Sequence, residues 1–178
     1  RVSNSRISLK NLFLLKDKLE ILINERALRY GKGEHPKHKL MKYHDYFVSN
    51  ITDDSTVLDV GCGYGAVARS IAEKVKGVIV TGIDNNNERL NQAKLNNHLE
   101  NLEFIYGDIL EINNEKKYDV IVMSNILEHI EKRVDFLKKI MQSVSPKIIL
   151  IRVPLFERNW QTAMRKELGI NYFSDSTH

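Results

Sequence analysis

From Thr56 onward, short runs of β-branched residues alternate with stretches of helical periodicity. We predict strands over Val57–Val60, Val78–Ile83, Glu103–Tyr106, Val120–Ser124 and Lys147–Val153. We predict helices over Val67–Val75, Glu88–His98, Lys132–Ser143 and Asn159–Leu168. Strands that alternate with helices form βαβ units and a parallel sheet. The pattern therefore predicts an α/β fold with a doubly wound, mostly parallel sheet and helices on both of its faces, which binds ligands at the carboxyl ends of its strands.

Composition limits the class of protein further. The 178 residues are 42% hydrophobic and 28% charged, which is ordinary for a soluble globular protein. No apolar run approaches the roughly 20 residues of a membrane helix, and the first apolar stretch is too short for a signal peptide. The single cysteine, Cys62, excludes an internal disulfide and fits a reducing compartment. We therefore expect a cytoplasmic protein without membrane insertion.

The N-terminal segment differs from the rest of the chain. Residues 1–50 carry 11 Lys and Arg against 5 Asp and Glu, whereas the whole chain has a net charge of +4. Helical periodicity predicts a helix over Ser8–Tyr30, and Pro36 fits the first turn of a second helix that reaches Val48. A solvated helical face is favoured over a nucleic-acid surface, because basic and aromatic residues do not interleave. We expect a helical extension over residues 1–50 and a ligand-binding domain over residues 51–178.

The first predicted strand ends in a glycine-rich turn, Val57-Leu58-Asp59-Val60-Gly61-Cys62-Gly63-Tyr64-Gly65-Ala66. Gly61 and Gly63 allow a tight turn and let the backbone approach a ligand closely. The spacing also fits the dinucleotide fingerprint, so the glycines alone do not choose a cofactor. Asp59 favours a cationic ligand, because a carboxylate here would repel a pyrophosphate and attract a sulfonium or an ammonium. A purely local role for Asp59, accepting backbone hydrogen bonds in the turn, is the alternative.

Two further acidic residues follow the next two predicted strands. Asp84 comes 19 residues after Gly65, near the spacing of an acid that binds ribose hydroxyls. Asp108 follows the third strand within Gly107-Asp108-Ile109. There it could accept a hydrogen bond from an adenine amino group while Ile109 packs on the ring, although Gly-Asp is also ordinary turn chemistry.

Together with these residues, the run Tyr118–Ile130, which ends in Leu-Glu-His-Ile, closely resembles class I S-adenosylmethionine-dependent methyltransferases. The ending resembles the branch that methylates small molecules, lipid precursors and glycans. The resemblance covers about residues 36–178 and implies a Rossmann-like fold with S-adenosylmethionine as cofactor. The implied cofactor contacts are Asp59, Gly61 and Gly63 at the methionine, Asp84 at the ribose, Asp108 and Ile109 at the adenine, and Ser124 and Asn125 at the sulfonium. Cys62 and Asn85 lie in the same loops and are also predicted to contact the cofactor.

The resemblance implies seven strands, and the last two have no counterpart before His178. We therefore expect these C-terminal strands to be missing from this sequence. In relatives, helices that precede the first strand cover the cofactor pocket, so residues 1–50 are expected to form a lid and a wall of the substrate site. His38 and Tyr43 are candidate ligand contacts there, although a structural role is favoured for each.

Methyl transfer requires a general base only when the acceptor atom carries a proton. His129, beside Glu128 at the mouth of the fourth strand, is a candidate base or substrate contact, and Glu128 is a second candidate. A structural role for His129 in capping its loop is the alternative. A divalent metal held by Glu128, His129 and His178, with Asn125 as a further ligand, is disfavoured, because Asn125 is neutral where some relatives have a glutamate.

The sequence therefore predicts a methyltransferase that acts on a small-molecule or glycan acceptor, at an oxygen atom. A nucleic-acid substrate is not expected, because no added domain is visible, and the oligomeric state has no signature in the sequence. One alternative is a nicotinamide-dependent oxidoreductase, against which Asp59 argues. The other is a binding module that keeps the S-adenosylmethionine pocket without activity.

Overall fold

A computed structural model describes residues 2–32, 35–36, 40, 42–111, 116–153 and 160–170. Its centre is a sheet of five parallel strands in the order β3-β2-β1-β4-β5. The strands are β1 (Thr56–Val60), β2 (Ile79–Asp84), β3 (Leu102–Tyr106), β4 (Val120–Ser124) and β5 (Ile148–Arg152). The helices are α1 (Val2–Tyr30), α2 (His44–Ser49), α3 (Ala66–Lys74), α4 (Asn87–Leu95), α5 (Arg133–Val144) and α6 (Trp160–Glu167), with a short 3-10 helix at Leu127–His129. The predicted α/β fold with a doubly wound parallel sheet is confirmed.

Helices cover both faces of the sheet because successive strand residues point to opposite sides. In β1, Val57 belongs to one buried cluster, which includes Phe47 of α2, Ile71 of α3 and Leu90 of α4. The next residue, Leu58, belongs to a second buried cluster, which includes Phe136 and Ile140 of α5. Strands that are buried on both faces explain the nearly continuous apolar runs of β1, β2 and β4.

The predicted helix from Pro36 to Val48 is interrupted. Leu40 is helical, and its amide donates to the carbonyl of Pro36 at 3.0 Å. Lys42 has a φ of 48°, which lies in the left-handed region and interrupts a right-handed helix. After this break, α2 begins at His44 and ends at Ser49.

The chain divides into two compact units, which we describe separately. One unit comprises residues 1–41 and 154–178, and the other comprises residues 42–153. In the first unit, the guanidinium of Arg165 in α6 donates from Nη1 to Oδ1 of Asp17 in α1 at 3.0 Å, and Arg165 is buried. The second unit holds the whole sheet and also α2, which the sequence had assigned to the N-terminal extension. The division into 1–50 and 51–178 stays a prediction.

The described helices include none that combines the length and the apolar character needed to cross a membrane. Even α1, with 29 residues, lacks such a segment because charged side chains recur along it.

At the amino ends of the strands, Asp119 joins β1 to β4. Its Oδ2 accepts hydrogen bonds from the amide of Thr56 at 2.9 Å and from the Thr56 hydroxyl at 2.8 Å. Its Oδ1 forms an ion pair with the ammonium of Lys147 at 2.8 Å. The hydrogen bond from Lys147 and those from Thr56 hold the pKa of the Asp119 carboxyl well below its usual value. These contacts lie at the edge of the sheet opposite the site described below.

We expect Asp119→Ala to lower the free energy of unfolding by about 1–3 kcal/mol at neutral pH, as for other losses of hydrogen bonds to a charged group. Because the pKa is lowered in the folded state, the contribution is present above the ordinary value of 3.8 and is lost as the pH falls below it. Urea denaturation from neutral pH down to about pH 3 should therefore show the two proteins converging. Lys147→Ala, whose side chain is largely exposed, should cost less than about 1 kcal/mol. A difference between wild type and Asp119→Ala that does not change with pH would contradict this interpretation.

Candidate cofactor and acceptor site

The loops that follow β1, β2 and β3 are hydrogen-bonded to one another at the carboxyl edge of the sheet. The amides of Gly61 and Cys62 both donate to the carbonyl of Ile83, at 2.8 and 3.0 Å. The amide of Gly107, after β3, donates to the carbonyl of Asp84 at 3.1 Å. These bonds bring three of the predicted cofactor-binding segments to one edge, where open α/β sheets bind ligands.

The glycine loop uses the left-handed backbone that glycine permits. Gly61 has a φ of 66° and Gly63 a φ of 54°. A Cβ on Gly61 would lie 2.1 Å from Cδ1 of Ile126, so the post-β4 loop packs directly on this residue. A Cβ on Gly63 would meet no atom of the described residues within 4 Å, so these residues leave space for a ligand in front of Gly63. The two glycines therefore serve different purposes, one in packing and one at the accessible surface of the loop.

Asp84, the last residue of β2, ties the glycine loop to its own loop. Its Oδ2 accepts from the amide of Gly63 at 2.8 Å, and its Oδ1 accepts from the amide of Asn86 at 2.8 Å. The residue is 8% exposed. Each carboxylate oxygen has a second lone pair, so Asp84 keeps acceptor capacity for a ligand after both backbone bonds are made. Sequence reasoning predicted a ligand contact at Asp84 and did not foresee that it also holds the loop.

Asp59 lies in β1 beside Gly82 and Val122 of the flanking strands and is 2% exposed. Its Oδ2 is buried and has no hydrogen-bond partner among the described residues. Burial raises the pKa of the Asp59 carboxyl to about 7, the amide of Ala68 in α3 opposes this rise, and the nearby charge of Asp84 adds to it. An unsatisfied buried carboxylate of this kind is costly in the free protein, and a bound cation would remove much of that cost.

Two other predicted cofactor contacts in these loops differ in accessibility. Cys62 is partly buried, and burial, followed by the charges of Asp59 and Asp84, raises the pKa of its thiol above the ordinary value. This thiol therefore stays protonated at neutral pH. Asn85, directly after β2, is exposed.

Asp108 and Ile109, which follow β3, differ in their exposure to solvent. Asp108 is exposed, and its Oδ1 accepts from the amide of Leu110 at 2.9 Å, which is the turn that the alternative interpretation of Gly-Asp predicted. Ile109 is 5% exposed and packs in the cluster that contains Leu58 and Ile83. Asp108 is thus free to meet a ligand with its second oxygen, whereas Ile109 offers very little surface.

The end of β4 and the loop after it hold the four remaining candidates. Ser124 is partly buried, and Asn125 is exposed with a φ of 60°. Glu128 and His129 lie in the 3-10 helix, where Glu128 Oε2 is buried without a hydrogen-bond partner among the described residues. His129 is exposed.

The structure does not assemble a metal site in the part of the chain that it describes. No three His, Cys, Asp or Glu side chains there are grouped so that they could hold a metal ion. The Oδ1 of Asn125, a candidate ligand of the disfavoured metal site, accepts from the guanidinium of Arg152 at 2.8 Å. His178, another candidate ligand of that site, and His38 lie outside the described residues.

Sequence reasoning missed Arg152, the last residue of β5, which contacts the post-β4 loop through Asn125. A cation at the carboxyl end of a predicted strand was a usable signal, because that edge is where ligands bind. It also missed Gly82 in β2, where a Cβ would lie 2.7 Å from Cδ1 of Phe104 and 2.9 Å from the sulfur of Cys62. This glycine lets the glycine loop pack against the sheet.

Residues 51–167 match the family described as a methyltransferase domain. The chain belongs to this family, which confirms the class that four sequence motifs predicted. N-methyltransferase 4 of Papaver somniferum is 39% identical over 97 residues, which are 52% of this chain and 27% of that protein. The ubiquinone biosynthesis O-methyltransferase of Rickettsia bellii is 34% identical over 106 residues, which are 57% of this chain and 42% of that protein. The chain thus spans less than half the length of these relatives.

Solved structures agree with the fold. Coclaurine N-methyltransferase, bound to N-methylheliamine and S-adenosylhomocysteine, superposes with a TM-score of 0.57 at 26% identity, covering 62% of this chain and 34% of that chain. The small RNA methyltransferase HEN1 superposes with a TM-score of 0.62 at 24% identity, covering 78% of this chain and 19% of that chain. The latter likeness shows the Rossmann-like fold alone. The relatives include both N- and O-methyltransferases, so they do not confirm oxygen as the acceptor atom.

We expect Asp59→Asn to stabilise the free protein, because the amide keeps the shape of the carboxyl and cannot ionise. A raised pKa in the folded state means that the carboxyl contributes stability below the unfolded value of 3.8, and that this contribution is lost as the pH rises through about 7. The free energy of unfolding of Asp59→Asn should therefore rise relative to that of wild type as the pH increases between these two values. The final difference should be on the order of a few kcal/mol, since a tenfold change in proton affinity is worth about 1.36 kcal/mol.

Chemical denaturation of both proteins across this pH range measures the effect. Asp53→Asn, at an exposed position before β1, is the matched control and should show no trend. Parallel stability curves for wild type and Asp59→Asn would show that ionisation of Asp59 is not penalised in the folded protein.

Proposed function

We propose that this chain binds S-adenosylmethionine at the carboxyl edge of β1, β2 and β3 and transfers its methyl group to a small-molecule acceptor. The observation that carries the proposal is the buried carboxylate of Asp59, whose Oδ2 lacks a partner among the described residues beside a glycine loop with open space at Gly63. A carboxylate in this position favours a ligand with positive charges and disfavours a pyrophosphate. This supports S-adenosylmethionine over a nicotinamide dinucleotide.

The residues present fit the parts of this cofactor. Asp59 would meet the charge of the ammonium or sulfonium, directly or through water. Each carboxylate oxygen of Asp84 accepts one hydrogen bond, from the amide of Gly63 or of Asn86. The remaining lone pairs of these oxygens would accept hydrogen bonds from the ribose hydroxyls. The second oxygen of Asp108 would accept from the adenine amino group. Since Ile109 is 5% exposed, its predicted contact with the adenine would involve little of its side chain.

When bound, S-adenosylmethionine supplies a methyl group that is already activated by the sulfonium. The protein then has to align the acceptor, exclude water and, for a protonated acceptor, hold a base near it. The post-β4 loop offers the side chains for this step. Ser124 and Asn125 would border the reacting methyl group, and Glu128 or His129 would receive the proton. Glu128 Oε2 is buried and has no hydrogen-bond partner in the part of the chain that the structure describes, which supports Glu128 as an acceptor of a hydrogen bond from substrate.

A small-molecule acceptor is supported by the relatives, which include methyltransferases of plant alkaloid and ubiquinone biosynthesis. An acceptor hydroxyl remains our first choice, since a base is then required and two candidates are present. An amine is the second choice, favoured by the N-methyltransferase relatives. A glycan acceptor and a cytoplasmic location remain predictions from the sequence.

Calorimetric titration tests the cofactor assignment directly. We expect the chain to bind S-adenosylhomocysteine and not NADH. Asp84→Ala should weaken this binding by about 1–3 kcal/mol, the range for losing a hydrogen bond to a charged group. Asp53→Ala, at an exposed position outside the proposed site, should leave the affinity unchanged. Binding of NADH in place of S-adenosylhomocysteine would refute the proposal, and equal affinity in wild type and Asp84→Ala would remove Asp84 from the site.

The affinity for S-adenosylhomocysteine should also depend on pH. Because the pKa of Asp59 is about 7 in the free protein, the carboxyl is largely protonated below that pH. The ammonium of the ligand favours the ionised form, so affinity should strengthen by up to about tenfold per pH unit as the pH rises toward 7. Titrations between about pH 5.5 and 7.5 should show this slope in wild type and lose it in Asp59→Asn. An identical slope in both proteins would assign the titration to another group.

A further inference from the structure

Arg152 ends β5 beside Ser124, its register partner in β4. Its guanidinium donates from Nη1 to Oδ1 of Asn125 at 2.8 Å. The central carbon of the guanidinium lies 4.2 Å from the centroid of the Tyr43 ring. All four residues belong to the compact unit of residues 42–153. Two contacts, one to an amide oxygen and one to an aromatic ring, therefore restrict the position of this cation at the carboxyl edge of the sheet.

This cation keeps most of its hydrogen-bonding capacity. A guanidinium has five N–H donors, and Arg152 forms one hydrogen bond within the described part of the chain, to a neutral amide. None of the ion pairs among the described residues includes Arg152. By contrast, Arg165, a buried arginine of the other unit, pairs with the carboxylate of Asp17. Arg152 is thus oriented in advance and lacks an anion among these residues.

An oriented guanidinium suits a planar anion. Carboxylates accept two parallel hydrogen bonds from arginine, and the geometry is more specific than that of lysine. Because the Tyr43 ring and Asn125 already restrict the side chain, a carboxylate would bind with little further loss of side-chain entropy. Ser124, Asn125 and Tyr43, which neighbour Arg152, carry no negative charge that would compete with a bound carboxylate.

We propose that Arg152 is the centre of a carboxylate-binding subsite at the β4–β5 edge. The inference rests on the proposed function, because it places the carboxylate next to the loop that would border the reacting methyl group. Two sources present this chemistry: a carboxylate on the methyl acceptor, and the methionine carboxylate of the cofactor. The first would make Arg152 a specificity-determining residue, and the second would make it a cofactor anchor.

Two titrations distinguish these sources. The first measures the affinity for S-adenosylhomocysteine in wild type and Arg152→Gln. The second titrates benzoate and its neutral isostere benzamide, and likewise acetate and acetamide, into each protein saturated with S-adenosylhomocysteine, with NMR detection of ligand and protein signals. The carboxylate probes stand for the charged group of an unidentified acceptor.

If the acceptor supplies the carboxylate, a carboxylate probe should bind more tightly than its amide, and Arg152→Gln should remove that preference. The loss should be roughly tenfold to a hundredfold, the range for a hydrogen bond to a charged group. The affinity for S-adenosylhomocysteine should change by less than about twofold. If the cofactor supplies the carboxylate, Arg152→Gln should weaken S-adenosylhomocysteine binding by the same range and leave the probes unaffected.

Arg152→Lys keeps the charge without the paired donors and should give an intermediate loss in whichever titration responds. Lys94→Gln, which removes one exposed positive charge in the last turn of α4, is the matched control and should change neither affinity. The proposal is overturned if wild-type protein shows no carboxylate preference and S-adenosylhomocysteine binds equally well to wild type, Arg152→Gln and Arg152→Lys. If wild type does not bind S-adenosylhomocysteine, the proposed function fails separately, and the probe titration of the free protein still decides whether Arg152 binds carboxylates.

Discussion

The hydrogen bonds of the Asp84 carboxylate determine the form of the whole site. One oxygen accepts from Gly63 in the loop after β1, and the other accepts from Asn86 at the start of α4. The left-handed backbone at Gly63 aims its amide at this carboxylate, and the parallel register places the end of β2 beside the end of β1. These hydrogen bonds hold the loop in one shape without a ligand, which would reduce the ordering cost of the binding that we propose.

The same arrangement brings two carboxyl groups, those of Asp59 and Asp84, near each other where both are buried. Asp84 contributes to the raised pKa of Asp59, although desolvation of Asp59 is the larger cause. A domain selected only for stability would have an apolar residue or an asparagine at this position in β1. The retained carboxylate fits a site whose ligand brings its own positive charge, because the free protein then bears the cost that ligand binding relieves.

Local patterns in the sequence were sufficient for the strands, most helices and the acidic positions at the ends of β1, β2 and β3. Each of these depends on neighbours close in the chain: the apolar runs, the glycine spacing, and the distance from Gly65 to Asp84. The start of α2 could not be predicted, because the left-handed backbone at Lys42 has no glycine or asparagine to signal it. The burial of Ile109 and the contact between Arg152 and Asn125 depend on packing between distant segments, so periodicity could not reveal them.

The strand order also separates two kinds of chemistry. The residues that would recognise the cofactor lie at or after the ends of β1, β2 and β3. These strands form one half of the sheet, from the central strand β1 to the edge strand β3. The loop after β4 and the end of β5 belong to the other half of the sheet, where Asn125, Glu128 and Arg152 provide a neutral, an acidic and a basic group. The loops after β1, β2 and β3, whose carboxylates would bind one cofactor, can therefore stay constant among methyltransferases while the residues after β4 and at the end of β5 change with the acceptor. The match over residues 51–167 spans both groups of strands and identifies the family without naming an acceptor, so we expect the acceptor to be found from residues such as Arg152.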